Sequence, residues 1–324
     1  MASPNIAELI VTALKANYSG KFSDNVGKGN LLLMKMRKRG NVRLLDGGTV
    51  IAENLEYAEN STAQRYSGYQ PLDIAASDVL TQAEFEWKQA AVNVTVSGRE
   101  ERINSGKTRI LPLVESRIKN AMRTMDNLIA EDMVSDGTAD GGLQIGGLQL
   151  LIQDDPTTSS TVGGINQSTW SFWRNQVVDF SSDLSINTVA SSNIRQGMNK
   201  LYLECSRGMD VPDLVYAGQT YYTYYEDSLQ TNQRYTDAKL AEAGFETLKY
   251  KGADVICDTR ITNLTAAKMY FINTEFMKFN VHQDANFVAL ENKVSVNQDA
   301  TVVPVIFMGN LSTSNRSLHG VLKA

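Results

Sequence analysis

The sequence predicts an α+β fold, and three observations carry that expectation. Leu111, Val114, Ile118, Met122, Met125, Ile129 and Met133 recur at steps of three and four. That spacing puts them on one face of a long helix. Before it, Phe85 and Trp87 alternate with Glu84, Glu86 and Lys88, and Val92, Val94 and Val96 continue at the same period. A period of two is that of a strand. The C-terminal third is a succession of short apolar runs divided by turn residues, which reads as strands. At 324 residues the chain exceeds the ~250–300 at which one hydrophobic core stops growing, so two or more packed units are expected.

Composition excludes several classes. Apolar residues are 42% of the chain, enough for a core, and 31 Lys+Arg against 36 Asp+Glu leave a net charge of −5. An acidic chain is a poor candidate for a dedicated nucleic-acid binder. No apolar run reaches the ~18 residues of a membrane-spanning helix, and no membrane association is expected. The start, Met1-Ala2-Ser3-Pro4-Asn5, has no basic n-region, and Glu8 and Lys15 interrupt the apolar residues after it, unlike a secretory signal. Cys205 and Cys257 are the two cysteines; they read as reduced, packed thiols and not as a disulfide framework. Asn-x-Ser/Thr sites such as Asn60 and Asn263 then carry no meaning.

Taken in order, the first element is a short helix. Ser3 caps it, Pro4 suits its first position, and Ile6, Ile10, Ala13 and Leu14 form its stripe until Gly20, Gly27 and Gly29 break the pattern. Residues 35–43 hold five basic residues in nine positions, Lys35, Arg37, Lys38, Arg39 and Arg43. They read as a solvated strand or loop, or as a contact with acidic neighbours or phosphate. Residues 47–98 read as a long extended hairpin, too polar to bury a face alone and stabilised by a partner. The long helix spans 108–136, with Pro112 in its first turn, Glu115 and Lys119 paired at i,i+4 and Asp136-Gly137 as its stop. At ~1.5 Å per residue it is roughly 35–40 Å long. Glycines at 141, 142, 146 and 147 precede a short apolar run to Ile152 and a loop from Asp154 to Thr161. Residues 191–208 read as a helix. Strands are expected at 211–217, 254–257, 269–272, 276–281, 287–290 and 301–308, and Pro304 marks the last as an edge or bulged strand.

No catalytic constellation appears. His282 and His319 are the two histidines. Neither sits in a His-Glu-x-x-His pattern, and there is no Cys-x-x-Cys and no Gly-x-Ser-x-Gly. Ser105-Gly106-Lys107-Thr108 resembles the end of a phosphate-binding loop, but Glu101 stands where that loop needs glycine. Tyr221, Tyr222, Tyr224 and Tyr225 could stack on bases or sugars, yet tyrosines so close in sequence fall on different faces, and at least half must pack. No cofactor or metal is expected, and no enzymatic activity. A long chain with a polar hairpin and no catalytic group points to a structural or assembly protein.

Three stretches then carry a resemblance: Gly141-Gly142-Leu143 through Gly147-Leu148 with Asp154-Asp155-Pro156, Val162-Gly163-Gly164-Ile165-Asn166-Gln167-Ser168-Thr169-Trp170-Ser171-Phe172-Trp173-Arg174-Asn175, and Pro304 through Leu311. The chain resembles tailed-bacteriophage major capsid proteins of the Hong Kong 97 fold. The second stretch is the most specific. Family members carry a similar run in which Asp and Arg stand where this chain has Asn166 and Gln167, so any salt bridge at that turn is in question, though not the turn.

The resemblance implies an N-terminal arm (1–40), an E-loop hairpin (41–105), a peripheral domain (106–180) with the spine helix 108–136, an axial domain (181–274) and a return to the peripheral domain (275–324). It implies hexamers and pentamers closing into an icosahedral shell around double-stranded DNA, which the chain contacts non-specifically. It also implies a portal protein at one vertex, a decoration protein as an optional partner, and synthesis in the bacterial host cytoplasm. Many relatives begin with a cleaved scaffolding segment. Here the arm begins at once, so a separate scaffolding protein, or none, and no processing are expected. Some relatives cross-link a hairpin lysine. Lys88 is the only lysine between Arg43 and Gly106, and a solvated or ion-paired state is expected for it. Candidate inter-subunit contacts are Phe85, Trp87 and Lys88 in the hairpin, with Arg37, Lys38 and Arg39 in the basic segment. The rival readings are a cellular nanocompartment shell of the same fold, a phosphate-binding enzyme using Gly106-Lys107-Thr108, and a tail-tube protein, which the long helix argues against.

Overall fold

A computed structural model describes residues 31–75, 77–99, 107–229, 248–257, 267–290, 293–294 and 298–324. The helix expected after Ser3-Pro4 and Gly106 of the phosphate-loop motif lie outside the described residues. In chain order the elements are α1 (Leu31–Lys38), β1 (Val42–Leu45), β2 (Ile51–Glu56), β3 (Leu80–Phe85), β4 (Lys88–Ser97), α2 (Lys107–Asp132), α3 (Leu148–Leu151), β5 (Thr161–Val162), β6 (Ile165–Asn166), β7 (Gln176–Asp179), α4 (Phe180–Leu184), α5 (Ile194–Glu204), β8 (Leu214–Ala217), α6 (Gln219–Ser228), β9 (Leu248–Tyr250), β10 (Ala253–Cys257), β11 (Lys268–Ile272), β12 (Met277–Ala289), β13 (Lys293–Val294), β14 (Ala300–Thr313) and β15 (Gly320–Lys323).

Two sheets build the body. In the first, β14 is central: β4 pairs along one edge, β12 along the other, and β1 adds to β12 in parallel. The second runs β7-β15-β11-β8-β10-β9. Its strands are apolar on both faces, as strands covered on both sides must be. Val215, Ala217, Val255, Met269, Phe271 and Leu322 face α4, α5 and α6 in one core. The alternate residues, Leu214, Tyr216, Ile256, Tyr270, Ile272 and Val321, face the other core. That core also takes Met125, Ile129 and Met133 of α2, and Leu32, Leu33 and Met36 of α1. Two hydrophobic cores therefore share one sheet as their common wall.

The long helix ends four residues before the expected glycine stop. Met133 still donates to the Ile129 carbonyl, then the Ser135 hydroxyl donates to the Asp132 carbonyl and closes the last turn. Gly147 lies so close to this end that a Cβ there would sit 2.3 Å from the Asp132 carbonyl oxygen. The basic segment is not a solvated strand or loop in its first half: Leu31–Lys38 is helical, with buried leucines and three basic residues in the last turn, where they oppose the helix dipole. Pro304 sits in a central strand, not at an edge. Its carbonyl accepts from Leu290 on the β12 side, so its missing N–H falls on that side, where β12 gives way to β13.

The hairpin is narrower than 41–105. β1 and β4 belong to the body sheet, and the free ribbon is the β2–β3 pair with its 57–79 connection. The implied domain limits also cut across the second sheet: β7 and β15 pair with each other and, through β11, with the strands of 214–272.

Candidate interaction surface at the ribbon root

The ribbon leaves the body through a fixed root. β2 buries every second residue: Ile51, Glu53 and Leu55 face in. Glu53 is buried and ion-paired to Lys278 at 3.0 Å and Arg43 at 3.3 Å, and it accepts from the Ser312 hydroxyl at 3.0 Å. One carboxylate thus ties β2 to β1, β12 and β14. A buried charge persists only when paired in this way.

Opposite it, Ala83 and Phe85 of β3 press on the turn between β5 and β6. Gly163 and Gly164 there have φ of +59° and +76°, as a two-residue hairpin turn of this hand requires. A Cβ on Gly163 would stand 3.0 Å from the Phe85 ring, and the Glu84 N–H donates to the Gly163 carbonyl at 3.0 Å.

These placements revise the expected contacts. Phe85 is 5% exposed; it is a core residue of its own chain and offers little surface to another. Trp87 donates from Nε1 to the Gly48 carbonyl and meets His282 edge to face. Lys88 is ion-paired to Glu86 at 2.9 Å and donates to the Gly142 carbonyl at 2.8 Å. The Lys88 hydrogen bond holds the Glu86 carboxyl below the usual carboxylate range. The basic segment finds acids of its own chain: Lys35 pairs with Asp254, Arg39 with Asp213 and Arg43 with Glu53. Arg37 is partly buried and Lys38 is exposed.

The Gly-Gly-Ile-Asn-Gln turn holds without a charged side chain at residues 166 and 167. Asn166 Oδ1 accepts from the Ser168 N–H and hydroxyl. Gln167 is buried; its Nε2 donates to Gln153 Oε1, and its Oε1 accepts from Arg316 Nη1 at 3.0 Å. Arg316 is fully buried and also donates to the Leu151 and Trp173 carbonyls and to Asn175 Oδ1. All four acceptors are neutral. Burial pulls its pKa down to about 10. Neither Glu53 nor Arg316 is singled out by any sequence motif, although the inward phase of Glu53 with Ile51 and Leu55 is a signal.

Beyond the root the ribbon carries apolar groups into solvent: Tyr66, Tyr69, Leu72 and Ile74 are all exposed, Tyr69 completely. Where β3 meets the glycine turn lies a cavity of about 480 Å³. Tyr57, Trp170 and Phe172 line it with ring centroids 5.6–6.1 Å apart. Asp78, Gln82 and Asn166 supply its polar wall.

Elsewhere the chemistry is quiet. Among the described residues no three His, Cys, Asp or Glu side chains cluster to hold a metal, and none of the described helices is long and apolar enough to cross a membrane. Burial pushes the Cys205 thiol well above its ordinary range, which makes it unreactive. Tyr221 and Tyr225 are buried against the second sheet. The side chains of Lys107 and Thr108 lie outside the described residues.

The chain matches no protein-family model and no curated protein. Solved structures do match over most of its length. The capsid of cyanophage A-1(L) is 14% identical and aligns over 93% of this chain and 92% of its own, with a TM-score of 0.64. The capsid of the native GTA particle is 11% identical over 89% of both chains, with a TM-score of 0.55. The holo-SrpI encapsulin of Synechococcus elongatus is 9% identical over 87% of this chain and 84% of its own, with a TM-score of 0.56. The chain has the Hong Kong 97-type capsid fold.

Proposed function

We propose that this chain is the major capsid protein of a tailed bacteriophage, and that its copies form hexamers and pentamers which close into a shell around double-stranded DNA. One observation carries the reading furthest. The chain has the shell-protein fold over nearly its whole length, and it holds out a pinned ribbon whose exposed Tyr66, Tyr69, Leu72 and Ile74 have no cover in a single subunit. A fixed apolar arm is stable in solution when another subunit covers it. Closed symmetry then limits how far such head-to-tail contacts grow. The role is structural and not enzymatic. A scaffolding protein, a portal at one vertex and an optional decoration protein are its expected partners.

A nanocompartment shell is the second reading, favoured by the encapsulin match alone. Sedimentation velocity and negative-stain electron microscopy of the purified chain test both. Rings of five or six subunits, or closed shells, support a shell protein. Shells that form alone at one small size and retain host protein cargo favour the nanocompartment. A subunit that stays monomeric at high concentration, with or without scaffold, overturns both.

A further inference from the structure

Arg65 is the only lysine or arginine between residues 44 and 87. It stands exposed on the ribbon tip, beside the exposed ring of Tyr66, with no hydrogen bond or ion pair to any described residue. At the root of the same ribbon lies the opposite chemistry. The cavity of about 480 Å³ presents three aromatic rings and the carboxylate of Asp78, which is exposed and likewise has no ion pair among the described residues. Trp170 on its wall is 46% exposed. No described contact joins the tip to this cavity within one chain.

We propose that the cavity at the ribbon root receives Arg65 from the ribbon tip of a second copy of this chain. The inference rests on the shell reading and names the contact that would link neighbouring subunits. The chemistry is specific. A guanidinium is planar and weakly hydrated, it stacks on aromatic faces, and its fork of donors matches a carboxylate. Three rings with one carboxylate form a receptor for that group. Gln82 on the same wall offers an amide oxygen for a remaining donor. The cavity has the size of one that encloses a drug-sized ligand, so Tyr66 enters with Arg65 and fills the volume beside it. The contact is head-to-tail: each copy offers an arginine and an acid, which gives a ring its direction.

The test compares the full-length protein with Arg65→Asp, Asp78→Arg and the double reversal by sedimentation velocity and negative stain. Circular dichroism checks that each exposed substitution leaves the subunit folded. Each single reversal is expected to weaken self-association at least tenfold, and the double variant to recover most of that loss. Wild-type assembly with unaffected single variants overturns the inference while leaving the shell reading intact. So does a double variant as weak as the two losses combined. Loss with Asp78→Arg but not with Arg65→Asp means that another cation fills the cavity, and overturns it too. A wild-type chain that never associates overturns the shell reading and this contact with it.

Discussion

Arg316 shows what a single side chain does at the centre of this subunit. Its guanidinium joins three segments through four acceptors, the Leu151 and Trp173 carbonyls, Gln167 and Asn175, so it fixes the geometry of the glycine turn from beneath. Arg316→Met leaves the Leu151 and Trp173 carbonyls and Gln167 Oε1 unmet and costs about 3–5 kcal/mol in denaturant unfolding. Arg316→Lys recovers little, because an ammonium lacks the planar fork. His319, three residues on, is fully buried. Its Nδ1 accepts from the Asn273 N–H, so the neutral ring carries its proton on Nε2, which faces the Thr313 hydroxyl at 3.2 Å. Burial, reinforced by Arg316, holds its pKa down at about 3. Between that value and the ordinary 6.5 the unfolded chain binds the extra proton and the folded chain does not. Stability is therefore lost as pH falls below 6.5, by up to about 1.4 kcal/mol per pH unit. Unfolding midpoints measured from pH 7 to 4 show this slope, and His319→Gln flattens it. None of this is legible in the sequence. A lone arginine or histidine in a Ser-Asn-rich turn looks solvated, and the partners that hold Arg316 lie more than a hundred residues away.

At the scale of elements the sequence is legible where a period runs unbroken. The long helix appears within a few residues of its expected limits, since seven apolar positions at helical spacing admit one face. The hairpin misleads because two strands read as one. The buried residues of β3, Ala83 and Phe85, carry odd residue numbers, whereas those of β4, Val94 and Val96, carry even ones. A change of phase between Trp87 and Lys88 marks a chain that changes sheet there, and Asn310 holds the corner by donating to the Glu86 carbonyl at 2.7 Å. The run Leu31-Leu32-Leu33-Met34 before the basic cluster is a helix signal overshadowed by the charges after it. The Gly163-Gly164 pair reads as a turn and is one, but its second task, seating Phe85, needs the tertiary structure. Gly163→Val forces a branched side chain into a left-handed backbone and against that ring, and costs about 2–4 kcal/mol. Hydrogen exchange at the Glu84 amide, which bonds to the Gly163 carbonyl, is expected to speed up more than exchange in β14.

The whole molecule divides its labour between a rigid body and an apolar arm. Replacing Tyr66 and Tyr69 together by serine leaves both cores untouched, because both rings stand in solvent. The expected outcome is a subunit of unchanged thermal midpoint that self-associates at least tenfold more weakly, seen as a shift from rings or shells to monomer in sedimentation velocity. The order of strands has a further consequence, for timing. β14, the middle of the first sheet, and β15, set between β7 and β11 in the second, are the last strands in the chain. The first sheet cannot close until residue 313 has left the ribosome, nor the second until residue 323, and pairings this distant in sequence form late. Since the Glu53 anchor needs Ser312, a nascent chain has no fixed ribbon to offer. Under the proposed shell reading, chains growing side by side on one messenger, at high local concentration, are thereby kept from linking to one another before each is able to fold.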